Sequence, residues 1–150
     1  MTERVDFYIL KSSTAIQRWT FACRLTEKAY LRDLKIVVLN DNTADSEALD
    51  ELLWTFNERS FVPHAVRQAT RAFDAAAPVQ LTPDLDCVAA ADLLVNLSAR
   101  LPTRLERFAR VAEIIDADGD RRRAGRERFK AYRDLKLPVE THQLDEPAGS

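Results

Sequence analysis

The chain has little of what most catalytic and metal sites are built from. Its 150 residues contain three glycines, two cysteines, two histidines and one methionine. Gly119, Gly125 and Gly149 cannot form a GxGxxG or a GxxxxGK[ST] loop, which excludes the usual phosphate cradles. No GxSxG is present to raise an elbow nucleophile. His64 and His142 stand apart from each other and from any ligand-spaced Cys or acid, so no metal site and no cofactor is expected. His64, beside Pro63, reads as a loop or interface residue rather than a general base. Cys23 and Cys87 lack CxxC spacing and read as buried thiols in a reducing compartment. No apolar run approaches the roughly 18 residues of a membrane span, and the N-terminus lacks a signal-peptide layout. These absences lead one to expect a cytoplasmic protein with no membrane span and without the usual catalytic motifs.

What is present is a single α/β domain over residues 1–138, with a flexible tail at 139–150. Val5–Leu10 (VDFYIL) is apolar and rich in strand formers. Thr14 and Gln17 fit a capping box at the start of a helix reaching about Leu31. Ile36–Leu39 (IVVL) suits a strand buried on both faces of a parallel sheet. Asn40–Asp45 reads as a turn, and Glu47–Phe56 as a helix with Leu49, Leu52 and Leu53 inward. Ser60–Pro78 reads as a loop followed by an irregular helix. Strands are expected at Val79–Leu81, Asp92–Leu97 and Ala109–Ile115, with a short helix or turn at Arg104–Ala109. The β-α-β-α opening predicts a three-layer Rossmann-like fold with a mostly parallel central sheet and a basic C-terminal helix.

That helix carries the strongest signal. Arg121–Lys136 holds eight Lys/Arg against two acids, a net +6 in a chain of formal charge −2. The rest of the chain is therefore acidic, and the asymmetry points to an acidic partner. Arg122, Arg126, Lys130 and Arg133 fall at i, i+4, i+8 and i+11, along one side of a helix. Phe129 can reach the same side, so the ligand is expected to be both acidic and apolar. Of Phe129 and Tyr132, one should pack inward. Gly125 sits mid-helix, where it costs about 1 kcal/mol relative to Ala, and close approach by a partner is one explanation. A solvated helix face, nucleic-acid phosphate and an acidic peptide remain the three readings of the stripe. Asp116, Asp118, Asp120 and Glu127 match positions 1, 3, 5 and 12 of an EF-hand loop, but position 6 is Arg121. A capped turn is expected there instead of a calcium site.

Three stretches carry a family resemblance. RERFKAYR (Arg126–Arg133), LDELLW (Leu49–Trp54) followed by SFVPH (Ser60–His64), and the opening VDFYIL resemble the chi subunit of bacterial DNA polymerase III holoenzyme. The resemblance implies a noncatalytic clamp-loader accessory protein. It implies a site for the acidic, Phe-terminated tail of single-stranded DNA-binding protein at Arg122, Arg126, Phe129, Lys130 and Arg133, floored by Ile115. Phe129 stands where the family often has tyrosine, and Arg122 where lysine is common. A contact with the psi subunit, and through it the clamp loader, falls on Phe61, Val62 and Pro63. DNA would then be reached mostly indirectly. The alternative is direct single-stranded nucleic-acid binding by the same helix, with a steep salt dependence.

Overall fold

The structure, a computed structural model, describes residues 2–56, 64–66, 77–88 and 90–144, with the backbone alone for 64–66 and 87. Among the described residues, seven strands form one sheet: β1 (Arg4–Ile9), β2 (Ile36–Leu39), β3 (His64–Val66), β4 (Val79–Thr82), β5 (Ala91–Asn96), β6 (Phe108–Ile115) and β7 (Val139–Gln143). Their order is β3-β4-β2-β5-β6-β1-β7, and every pairing is parallel. Among the described residues, three α-helices cover it: α1 (Ala15–Tyr30), α2 (Thr43–Thr55) and α3 (Gly119–Asp134). This is the expected three-layer Rossmann-like arrangement.

The layers follow from strand alternation. On β6, Ala112 and Ile114 join the core that contains Ala22, Cys23 and Ala29 of α1 and Leu49 and Leu53 of α2. Val111 and Ile115, of opposite parity, join the core that contains Tyr132 of α3. All four residues of β2 are buried, as the IVVL run requires of a strand covered on both faces. Burial pushes the Cys23 thiol up to about 12, which fits a packing role.

Several boundaries differ from expectation, each for a local reason. The Thr14–Gln17 capping box does not form. Ser12 Oγ competes for the same groups, accepting from Thr14 N at 3.2 Å and pairing with Thr14 Oγ1 at 3.2 Å. Arg18 anchors this end of α1 instead. It is buried, and its Nε donates to Ile114 O at 2.7 Å while Nη2 donates to Leu97 O at 3.3 Å. That burial, with Arg121 nearby, brings its pKa down to about 10. The second helix begins at Thr43, ahead of Glu47, because Asn42 caps it by accepting from Asp45 N at 2.8 Å.

Within Ser60–Pro78, His64–Val66 is a strand rather than loop or helix. The outer edge of β4 recruits it, a demand no local pattern reveals. Phe61, Val62 and Pro63 lie outside the described residues. At the other edge, the boundary at 138 is corrected. Val139–Gln143 is not tail but the strand β7, paired with β1 from Val5↔Val139 to Ile9↔Gln143. Tertiary contacts hold it: Val139 packs on the α3-side core, and His142 stacks on Tyr8 at 4.9 Å and pairs with Asp6 at 2.9 Å. Residues 145–150 lie outside the described residues. No helix among the described residues is long and apolar enough to cross a membrane.

Candidate functional site

The site begins where β6 hands over to α3. Asp118 caps the helix, its Oδ2 accepting from Arg121 N at 2.9 Å. Asp116 is wholly buried, and its carboxylate accepts from Arg121 Nε at 2.9 Å and Nη2 at 2.6 Å. Asp120 pairs with Arg123 at 3.2 Å. The EF-hand-like spacing is thus taken up by capping and by the chain's own arginines. Burial raises the Asp116 carboxyl, but the Arg121 hydrogen bonds and charge and the Asp118 N–H outweigh it and hold the group below the usual carboxylate range. A depressed folded value means that this stabilisation is present above the unfolded pKa of about 3.9. It is lost as pH falls through the folded value. Asp116→Asn is therefore expected to lower stability at neutral pH and to lose part of the wild-type decline in strong acid. Urea midpoints measured from neutral pH downward check this, and parallel acid limbs would remove Asp116 from the account.

The seating of α3 is fixed by a buried polar cluster. Glu113 Oε1 accepts from Arg128 Nε at 3.0 Å, and Oε2 accepts from Tyr132 Oη at 2.6 Å and Asn96 Nδ2 at 2.9 Å. Arg128 Nη1 also donates to Ala99 O at 3.0 Å. Glu113 is held above the usual carboxylate range by burial, against the opposing pull of Arg128, Tyr132 and Asn96. Burial and the Glu113 charge push the Tyr132 phenol up. Tyr132 is therefore the inward aromatic, and Arg128 is internal rather than part of a surface stripe.

With α3 locked this way, its other side overhangs the end of the sheet. A cleft of about 260 Å³ lies between α3 and strands β1, β6 and β7. Its apolar walls are Phe7 and Ile9 of β1, Ile115 of β6 and Phe129 of α3. Phe7 and Phe129 meet edge to face, with centroids 5.2 Å apart. Arg122 and Arg126 stand at the rim, and Thr141 and Gln143 of β7 close the far side. Arg122 is tethered, donating from Nε to Asp116 O at 3.0 Å. Arg126 makes no ion pair among the described residues and is exposed.

The structure thus places Ile115, Arg122, Arg126 and Phe129, four of the residues that the resemblance implied, around one cleft. Arg133 stands just beyond, its guanidinium 5.9 Å from the centre of the Phe129 ring. Lys130 is exposed and does not line the cleft. Phe7, Ile9, Thr141 and Gln143 escaped the sequence reading. The first pair had a usable signal, since i and i+2 of VDFYIL share one strand face. The second pair sits on the strand read as tail.

Gly125 also gains a physical account, and it is not a partner's approach. A Cβ there would stand 2.7 Å from Ile115 Cδ1, so glycine lets α3 lie directly on the cleft floor. In Gly125→Ala, the gain of about 1 kcal/mol in helix propensity is expected to offset the crowding, leaving the melting temperature nearly unchanged. The displaced Ile115 side chain should intrude on the cleft.

On the opposite face of β1, Asp6 gathers partners distant in sequence. Its carboxylate meets Arg4 Nε at 3.2 Å, Arg110 Nη2 at 3.0 Å and His142 Nε2 at 2.9 Å, with Glu140 beside it. His142 has no ligand-spaced acid cluster in the sequence, but parallel pairing sets Glu140 against Asp6 and His142 against Tyr8 on one sheet face, from which the His142 ring reaches the Asp6 carboxylate. Two guanidiniums already supply the positive charge that a metal ion would bring, so the cluster is an internal ion-pair network.

The comparisons with known proteins bear on this geometry. The family described as DNA polymerase III chi subunit, HolC, matches residues 1–140. The chain belongs to this family. It is 35% identical over 141 residues to the DNA polymerase III subunit chi of Pseudomonas aeruginosa, covering 94% of this chain and 96% of that protein. It is 24% identical to the Escherichia coli subunit chi, covering 87% and 91% respectively. Members of the family are noncatalytic accessory subunits of the replicative polymerase, so the missing catalytic motifs have a functional counterpart. Among solved structures, S. cerevisiae Dbp5 bound to Nup159 and Gle1 superposes with a TM-score of 0.64 at 11% identity, covering 97% of this chain and 42% of that one. T4 UvsW gives 0.63 at 9% identity, covering 93% and 41%. At such identities the likeness shows the α/β fold alone.

Proposed function

We propose that the cleft under α3 receives the acidic C-terminal tail of single-stranded DNA-binding protein, making this chain a replication accessory that links that protein to the clamp loader. The observation that carries the reading is the pairing of an apolar floor with a cationic rim. Phe7, Ile115 and Phe129 can hold a terminal phenylalanine, while Arg122 and Arg126 meet its carboxylate and the preceding aspartates. Lys130 and Arg133 extend the positive charge along the helix. Phe129 retains the stacking surface that a tyrosine would offer. Most of these pairs are solvent-exposed, so the interaction is of moderate strength and weakens with salt.

The second contact, with psi and through it the clamp loader, is proposed at Phe61, Val62 and Pro63. The family motif SFVPH supports that placement. A role in replication sets the protein in the cytoplasm, with DNA reached mainly through its partner.

Calorimetric titration with a synthetic copy of the acidic tail, beside one lacking the terminal Phe, tests the cleft. The full tail should bind and the truncated one should not, because the floor is then unfilled. Equal binding of both, or tight binding of single-stranded DNA alone with a steep salt slope, would reject the reading. Gly125→Ala should lower tail affinity about fivefold through Ile115 at near-constant stability. An unchanged affinity would show that the floor is not used.

A further inference from the structure

The cationic side of α3 is longer than the cleft, and Lys130 and Arg133 lie beyond its lining. A second feature runs beside them. β7 ends the sheet, so one of its backbone edges has no strand partner among the described residues. Parallel pairing commits only alternate residues of β7 to β1. Pro138 O accepts from Val5 N at 2.9 Å, and Leu144 N donates to Ile9 O at 3.0 Å. The even-numbered residues therefore face β1. Val139, Thr141 and Gln143 turn their N–H and C=O groups to the open edge. Thr141 and Gln143 are also the two β7 residues that border the cleft.

We infer that β7 and α3 together form an extended strand-addition site, in which the acidic segment upstream of the cleft-bound terminus pairs with the free edge of β7. This rests on the reading of the cleft as an acidic-tail site and says how the rest of that tail is held. Direction follows from the fold. α3 starts where β6 ends and runs back antiparallel to the strands, so Arg122 and Arg126 lie toward the end of β7 and Arg133 toward its beginning. A peptide whose carboxylate lies at Arg126 then leaves along β7 in parallel orientation. Its alternate side chains project to the α3 face, where acidic ones meet Lys130 and Arg133, and the others project to solvent. An aspartate-rich segment suits both directions. Main-chain bonds supply affinity that does not depend on the order of the aspartates, as in other cases of strand addition. β7 is five residues long, with Glu140, Thr141 and Gln143 exposed and no proline to block pairing.

The test uses the intact protein and two peptides. One is the tripeptide Asp-Pro-Phe, which can fill only the cleft. The other extends it N-terminally by about five aspartates, the length of β7. The extended peptide should bind at least tenfold more tightly. It should also slow hydrogen exchange at the Thr141 and Gln143 amides about tenfold, an effect the tripeptide lacks. N-methylation at alternate aspartates, which keeps every charge, should abolish the gain in one register and spare it in the other. Three results would overturn the inference. Indifference to both N-methylated sets would leave charge as the whole effect. Equal affinity of the two peptides would place nothing on the edge. Protection of Thr141 and Gln143 in the free protein, with a dimer in sedimentation, would put a second copy of the chain there. Failure of both peptides to bind would instead remove the cleft reading, and the inference with it.

Discussion

Replacing Arg128 with alanine is expected to cost about 3–5 kcal/mol of folding stability, the largest single effect foreseen for this chain. The reason lies in what remains. Glu113 is wholly buried and faces Arg128, Tyr132 and Asn96. Removing the guanidinium leaves a carboxylate with two neutral donors and no countercharge. The Ala99 carbonyl also loses its donor. Urea denaturation at neutral pH measures the cost.

The pH dependence of the deficit separates this cause from simple loss of packing. Burial already raises Glu113 with Arg128 in place. In the variant the folded value rises further, so the folded state binds a proton that the unfolded state lacks. Stability then falls as pH rises through the window between the unfolded and folded values, and the deficit is largest above it. Below that window Glu113 is protonated in both states and the deficit should shrink. Adding Glu113→Gln to Arg128→Ala should recover part of the loss at neutral pH, because the buried charge is gone. A deficit that is constant with pH and unrelieved by the second change would reduce Arg128 to a packing residue.

Arg128 also shows where the sequence stops being legible. Composition places it in a run of positive charge, and helix spacing separates it from the Arg122–Arg126–Arg133 side. Nothing local says that a carboxylate at position 113 waits inside the sheet. Glu113 itself interrupts an apolar strand, ARVAEII, and an acid in such a strand is a signal of a buried polar partner. The layer arrangement was legible because IVVL and the α1 and α2 periodicities are local properties. β3 and β7 were not, since each is an edge strand recruited by a neighbour distant in sequence. The cleft was legible on its helical side for the same reason that helices are. Its strand side required knowing that β1 and β7 pair in parallel.

The remaining large effect is on binding. Arg126→Ala is expected to weaken the acidic tail by about 1.5–3 kcal/mol, roughly tenfold to more than a hundredfold, as for loss of a charge-assisted hydrogen bond. Exposure of Arg126 favours the lower half of that range at physiological salt. Its neighbours make it the discriminating choice. Arg122 also holds the Asp116 carbonyl at 3.0 Å, so its removal disturbs the helix start as well as the rim. Lys130 stands outside the cleft and should matter less to a tail that fills only the cleft. Arg126 makes no ion pair among the described residues, so its truncation should leave the melting temperature unchanged. Arg126→Lys should recover the charge but not the two-pronged geometry, giving an intermediate affinity. Calorimetry across this series, at low and at high salt, decides the matter. Tail affinity equal in wild type and Arg126→Ala would show that the cationic rim does not engage the terminus, even if the apolar floor does.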